Sequence, residues 1–151
     1  MSTDAKATKK VMRTLADGRD GFAKGAEKLT ETSVPALAAT FRKYSGQRAE
    51  LYRELEMMAA RYGDDLEESG SVGASIHRGW MAVKDAMNGS EPDGVLDAAE
   101  QGEDHALEVY DDVLKEDVSA ELRDVLQRQR RDVQQAHDEV RDLRDAYAKN
   151  G

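Results

Sequence analysis

Carboxylates and the three histidines are the residues of this chain that could hold a metal ion, because these groups bind metals inside helical proteins. A two-metal site in a four-helix bundle takes a Glu from each of two helices and a Glu-x-x-His pair from each of the other two. No histidine here completes that pair, because none has Glu or Asp three residues before it. The remaining candidate ligands for iron, manganese or zinc are Glu50, Glu100, Glu103 and His137.

Two charged residues fall at the centres of predicted helices, on faces that should be buried. The midpoints of the four long helices described below are Gly18, Arg48, Glu103 and Val133. Glycine and valine cannot bind a metal, and arginine is itself a fixed cation. We therefore predict that Arg48 and Glu103 form an ion pair inside the bundle, with the guanidinium where a metal would otherwise lie. The alternative is that Arg48 extends past the core and ends at the surface.

Three further residues on predicted core faces have structural interpretations. Tyr44 lies on the same helical face as Arg48 and is assigned to the polar part of the core. Trp80 is expected to close a crossover helix against the bundle, and His77 to donate a hydrogen bond to a neighbouring helix. The chain has no Gly-rich phosphate loop and no Ser-His-Asp set in a strand–turn–helix context. The sequence therefore favours a protein without catalytic activity, and no cofactor is expected.

Apolar residues recur at alternating steps of three and four through most of the chain, which predicts long amphipathic helices. The predicted ranges are 5–30 for helix A, 34–62 for helix B, 71–88 for a crossover helix, 92–115 for helix C and 119–148 for helix D. Ser33 and Ser119 are candidate N-caps, and Pro35 suits the first turn of helix B. Gly63 is the expected end of helix B.

The second half of the chain repeats the helical pattern of the first half at a constant offset of 85 residues. For example, Leu37 and Leu55 of helix B map onto Leu122 and Val140 of helix D. Two antiparallel hairpins, joined by a helix-containing crossover between helices B and C, form a ferritin-like four-helix bundle. We predict this all-α fold, as a single domain over residues 1–151. A five-helix bundle with connections between neighbours is the alternative.

The charge of this chain is unevenly distributed along its 151 residues. The net charge of −9 is the sum of +4 over residues 1–62, −13 over residues 63–117 and zero over residues 118–151. Nucleic-acid binding requires clustered positive charge, so no nucleic-acid partner is expected. The acidic segment is a candidate surface for a protein partner.

Compartment and self-association are also predicted from composition. The chain has no cysteine, which fits a reducing compartment, and no apolar run approaches a membrane span. We therefore expect a cytoplasmic protein with no membrane contact. Gly18, Gly21 and Gly25 give helix A a face of small residues, suited to close packing against another helix or subunit. On that basis a homo-oligomer, specifically a dimer, is expected.

A series of short stretches from residue 17 to residue 138 forms a combined pattern. They are Asp17-Gly18, Gly21-Phe22, Gln47-Arg48-Ala49-Glu50, Ser69-Gly70-Ser71, His77-Arg78-Gly79-Trp80, Gly102-Glu103-Asp104 and Ala136-His137-Asp138. On these stretches the chain resembles an uncharacterised bacterial family of four-helix bundles in the ferritin-like superfamily. The resemblance implies a ferritin-like bundle but no particular activity, since that family is a domain of unknown function. Some related ferritin-like bundles are linked to stress or hold two metals.

Three hypotheses for function follow. The first is a non-catalytic ferritin-like bundle whose Arg48–Glu103 pair replaces a metal centre. The second is a degenerate two-metal protein that binds iron or manganese through Glu and His. The third is a partner-binding module with an acidic face.

Overall fold

The computed structural model describes residues 2–62, 83 and 92–150, and over these residues the protein is all α-helical with no strand. The four helices are α1 (Thr3–Leu29), α2 (Leu37–Ala59), α3 (Asp93–Leu114) and α4 (Ala120–Asn150), with a short 3₁₀ turn at Ala60–Tyr62. They correspond to predicted helices A, B, C and D, so the expectation of four long helices is confirmed. The predicted crossover helix at 71–88, with His77 and Trp80, lies outside the described residues apart from Val83, which is buried.

The start of α4 is capped as the sequence predicts. The Ser119 hydroxyl accepts a hydrogen bond from the Leu122 amide at 3.2 Å, which satisfies one of the free amides at the helix N-terminus. Helix α1 uses the same device, because the Ala5 amide donates to the Ser2 hydroxyl at 3.1 Å. Both long helices that begin with a serine cap therefore start at a position the sequence marks.

The start of α2 differs from the prediction. The helix begins at Leu37 rather than near residue 34, and Ser33 is not its N-cap. The residue before a proline is disfavoured in the helical region, so Val34 cannot continue a helix into Pro35. A turn forms instead, in which the Leu37 amide donates to the Val34 carbonyl at 3.1 Å. The Thr32 hydroxyl accepts from the Val34 amide at 3.2 Å.

Helices α1 and α3 pack side by side in opposite directions. Lys10, early in α1, pairs with Asp112, late in α3, at 3.9 Å. Gly25, late in α1, faces Val95 near the start of α3. Short connections make α1–α2 and α3–α4 antiparallel hairpins. Helices α2 and α3 therefore run in the same direction.

The apolar core consists of two clusters, one toward each end of the bundle. The first cluster contains Val11, Leu15, Leu51, Leu55, Val109, Tyr110, Val113, Leu122, Leu126 and Val133. The second contains Phe22, Leu29, Phe41, Tyr44, Val83, Val95, Leu96, Ala136 and Val140. Each fully buried aliphatic or aromatic side chain stabilises the fold by about 1.5–3 kcal/mol. The level between the clusters carries the charged residues discussed below.

The glycines of α1 are used inside the chain. Gly18 and Gly25 are buried, and a side chain at Gly25 would lie 2.8 Å from the Phe41 ring on α2. Gly21 is buried as well. The small-residue face thus admits α2 and α3 rather than a second subunit. The feature from which a dimer was predicted no longer favours one, and self-association stays a prediction.

The two hairpins make equivalent contacts at the offset of 85 residues. In the first hairpin, the guanidinium of Arg19 lies 5.5 Å from the centre of the Tyr52 ring. The equivalent residues of the second hairpin are Asp104 and His137, which are hydrogen-bonded at 2.6 Å. The chemistry differs but the pair of positions is the same, as expected if one hairpin is a duplicate of the other.

Candidate functional site: a buried ion pair at the centre of the bundle

Arg48 of α2 and Glu103 of α3 form an ion pair between the two apolar clusters. Arg48 Nη1 donates to Glu103 Oε1 at 2.5 Å, and Nη2 donates to Oε2 at 2.6 Å. Each side chain is 1% exposed, so water reaches neither charge. The two parallel N–H···O bonds match the planar fork of the guanidinium to the carboxylate. The predicted contact is therefore present, and Arg48 does not extend to the surface.

The sequence around Arg48 makes room for its side chain. Gly18 on α1 lies against it, and a Cβ atom at that position would be 3.2 Å from Arg48 Nη1. The Phe22 ring, one turn further along α1, lies with its centre 5.3 Å from the guanidinium carbon. The remaining donor, Nε, bonds to the Gln47 side-chain oxygen at 3.2 Å. Glycine at position 18 thus provides the space that the guanidinium fills.

Burial and pairing act in opposite directions on the protonation of Arg48. Burial alone would lower the pKa of the Arg48 guanidinium, because it disfavours the charged form. The Glu103 carboxylate at hydrogen-bond distance outweighs burial and holds that pKa above its ordinary value. The pair is therefore a fixed cation matched by one acceptor. Its net contribution to stability is small, since desolvation offsets the attraction.

A second polar layer flanks the ion pair and repeats across the two hairpins. The Tyr44 hydroxyl on α2 donates to the Glu139 carboxylate on α4. The Gln129 amide on α4 donates to Glu54 Oε1 on α2 at 2.8 Å. Adding 85 to 44 gives 129 and adding 85 to 54 gives 139, so the offset exchanges the two contacts. This is the relation expected of two hairpins related by a two-fold axis, and it sets α2 antiparallel to α4.

A buried tyrosine extends this layer into the first apolar cluster. The Tyr110 hydroxyl donates to the Gln129 side-chain oxygen at 2.8 Å, and Gln129 also donates to the Leu51 carbonyl at 3.2 Å. Burial raises the pKa of Tyr110, and burial together with the Glu139 hydrogen bond raises the pKa of Tyr44. Both phenols therefore stay protonated and act as hydrogen-bond donors at neutral pH.

The candidate metal ligands are not brought together. Glu50 is exposed on α2, while Glu103 is engaged by Arg48. Glu100 forms an ion pair with Arg144. Among the residues that the structure describes, no group of three or more His, Asp or Glu side chains is placed to hold a metal ion. Within these ranges, the geometry is that of ion pairs rather than of a metal site.

His137 lies at the edge of the bundle between two carboxylates. Its Nε2 is 2.6 Å from Asp104 Oδ1 on α3, and its Nδ1 is 3.2 Å from Asp138 Oδ1. Partial burial lowers the pKa of His137, but the hydrogen bonds to Asp138 and Asp104 outweigh it and raise that pKa above its ordinary value. The protonated imidazole has a donor for each carboxylate. This is the hydrogen-bonded boundary histidine that the sequence favours over a ligand.

The Tyr110–Gln129–Glu54 network is absent from the sequence-based predictions. Gln129 lies on the apolar stripe of its helix, and it is equivalent to Tyr44 by the offset of 85. Two polar residues at equivalent core positions were a signal for paired hydrogen bonds between α2 and α4. The partners themselves depend on the relative height of the two helices, which only the structure provides.

The fold and the site define an all-α protein of four long helices with a two-bonded ion pair at its centre. Its residues 5–116 match the family described as Domain of unknown function (DUF2383), and the chain belongs to that family. The match includes α1, α2 and α3, with both Arg48 and Glu103. The expected membership in an uncharacterised family is thereby confirmed. No curated protein matches the chain, and no described helix is long and apolar enough to cross a bilayer.

Proposed function

We propose that this chain is a non-catalytic, ferritin-like bundle in which the Arg48–Glu103 pair replaces a metal centre. The observation that carries the proposal is the position of Arg48, whose guanidinium fills the centre of the bundle and binds the Glu103 carboxylate through two hydrogen bonds. In a two-metal bundle the inward-facing carboxylates neutralise metal cations. Here the positive charge belongs to the chain itself, and both oxygens of Glu103 already accept hydrogen bonds from it.

The direction of the helices supports the ferritin-like assignment. Because α2 and α3 run in the same direction, Tyr62 and Asp93 lie at opposite ends of the bundle. Helix α2 alone, with 23 residues, is about 35 Å long. A long connection between the second and third helices is the feature that separates ferritin-like bundles from simple up-and-down bundles. The bacterial, cytoplasmic and homo-oligomeric assignments belong to the same proposal and rest on the resemblance and composition set out above.

Metal analysis tests this proposal. The full-length chain is purified without chelator from cells supplied with iron, manganese and zinc, and its metal content is measured by mass spectrometry. We expect substoichiometric metal that does not differ between the wild-type chain and Glu103→Gln. The matched control is Glu50→Gln, which changes an exposed carboxylate of the same type. Stoichiometric metal in the wild-type chain that is lost in Glu103→Gln and retained in Glu50→Gln would contradict the proposal.

A second candidate function, binding of a basic partner, is favoured by the outer face of α3. This helix contains eight acidic residues and no Lys or Arg. Its exposed carboxylates follow the helical repeat at Asp93, Asp97, Asp104, Glu108 and Asp112. Such a row produces a negative field that attracts positively charged surfaces and weakens with salt.

Neutralising part of the row tests this second function. The triple variant Asp97→Asn, Glu108→Gln and Asp112→Asn is compared with the wild-type chain in a quantitative pulldown from cell extract. We expect the variant to lose proteins that the wild-type chain also releases at high salt. Identical sets of bound proteins for the two chains would exclude the acidic face as the binding surface.

A further inference from the structure

The central layer of the bundle breaks the two-fold relation that the rest of the core obeys. By the offset of 85 residues, Arg48 of α2 is equivalent to Val133 of α4, and Gly18 of α1 is equivalent to Glu103 of α3. The first hairpin thus contributes a buried cation and a glycine, and the second contributes a buried anion and a valine. Arg48, Glu103 and Val133 are each no more than 1% exposed.

We propose that Arg48 and Glu103 determine which hairpins can pair. The inner face of α1–α2 then accepts an α3–α4 hairpin, from the same chain or from a second copy, and rejects another α1–α2 hairpin. This inference concerns pairing specificity and does not depend on the ferritin-like assignment or on the absence of a metal.

Like-with-like pairing of hairpins places equal charges in the core. Two α1–α2 hairpins would put two Arg48 side chains and two Gly18 positions in the central layer, with no carboxylate. Two α3–α4 hairpins would put two Glu103 side chains there, with no cation. A buried charge without a partner is strongly destabilising, whereas the mixed pairing matches each charge with the other. The central layer therefore discriminates between the two arrangements.

The flanking polar layer does not discriminate. In the observed pairing Tyr44 donates to Glu139, and Gln129 donates to Glu54. In a pair of α1–α2 hairpins, Tyr44 of one copy would meet Glu54 of the other. In a pair of α3–α4 hairpins, Gln129 would meet Glu139. Every arrangement joins a donor to a glutamate, so among these polar contacts selectivity comes from the central layer.

The test removes both charges from the full-length chain. In Arg48→Met/Glu103→Leu the central layer is apolar, so like-with-like pairing no longer buries a charge. The control is Tyr44→Phe, which makes a core position of the flanking layer apolar and leaves the ion pair intact. Each chain is refolded at a series of concentrations, and its mass in solution is measured by light scattering after size exclusion.

A spin label identifies the pairing. The chain has no cysteine, so Glu50→Cys provides a single attachment point that is exposed and close to the level of the ion pair. Paired α1–α2 hairpins place the two labels at similar heights on helices about 10 Å apart. The labels then lie within about 30 Å, a distance that pulsed electron paramagnetic resonance measures.

We expect the double variant to fold and to show a fraction of dimers with the short label distance about tenfold or more above that of the wild-type chain. The Tyr44→Phe chain should match the wild-type chain at every concentration. A folded double variant with the wild-type distribution of species would overturn the proposal. A double variant that fails to fold would overturn it too, because the pair would then supply stability rather than selectivity.

Discussion

Replacing Arg48 by methionine removes a buried positive charge and keeps an unbranched side chain. Because Glu103 is 1% exposed and receives both of its hydrogen bonds from Arg48, the variant strands an anion in the core. Breaking a buried ion pair in this way costs about 3–5 kcal/mol of unfolding free energy. The reverse variant, Glu103→Leu, strands the guanidinium at a similar cost of about 3–5 kcal/mol. The double variant leaves no charge and should lie between unchanged and about 4 kcal/mol more stable.

The two single variants should differ in their response to pH. In Arg48→Met, the stranded carboxylate can take up a proton. A glutamic acid with an ordinary pKa of about 4.3 does so at pH 7 at a cost of about 3.7 kcal/mol. The folded state then binds one more proton than the unfolded state, so stability rises as pH falls, by about 2.7 kcal/mol between pH 7 and pH 5. Arginine cannot lose its proton, so the loss in Glu103→Leu should not change over that range.

Urea unfolding followed by circular dichroism measures these differences. The wild-type chain, both single variants and the double variant are unfolded at pH 7, 6 and 5, and each variant is compared with the wild-type chain at the same pH. The slope of free energy against urea should stay constant if the unfolded states are similar. The double variant completes a cycle that isolates the coupling between the two residues.

Two results would refute this reasoning. A loss below about 1 kcal/mol in Arg48→Met would place the pair in the range of solvent-exposed salt bridges. Equal pH dependence in the two single variants would show that no stranded carboxylate is being protonated in Arg48→Met.

Gly25→Ala should destabilise the fold by about 1–3 kcal/mol, because its Cβ would lie 2.8 Å from the Phe41 ring. Gly46→Ala is the matched control and should stabilise the chain by about 0.5–1 kcal/mol, since that helical glycine has nothing within 4 Å of an added Cβ; thermal unfolding distinguishes opposite signs from a shared effect. His137 should titrate above the ordinary histidine value in an NMR experiment, and Asp104→Asn should lower its pKa by removing one of its two carboxylate partners. That ion-pair contribution to stability is present below the unfolded pKa of about 6.5 and is lost as pH rises through the folded value; a titration unchanged by Asp104→Asn would exclude the proposed cause.

The ion pair could be predicted from sequence because three independent patterns agree at Arg48. The residue lies at the centre of its helix, on the apolar stripe, and opposite an equally central Glu103. A charged residue on a buried stripe needs a partner, and few are available at the same height. The pairing therefore followed from helix length and periodicity without knowledge of the helix packing.

Other features depended on local competition or on the relative heights of helices. The start of α2 was predicted too early because proline is favourable in a first helical turn but also restricts the residue before it, and at Val34 the second effect wins. The partner of Gln129 depends on how far α4 is shifted along α2, which periodicity within one helix does not determine. The direction of α3 relative to α2 is likewise a property of tertiary packing.

The buried pair also gives the centre of this bundle an unusual response to heat. The free energy of hydrating a charged group becomes less favourable as temperature rises, so the penalty for keeping Arg48 and Glu103 away from water shrinks on warming. Apolar layers above and below them follow the opposite course, because their stabilisation per unit area levels off. The charged centre is therefore most costly in the cold and least costly near the melting temperature, where the surrounding layers have the least to spare.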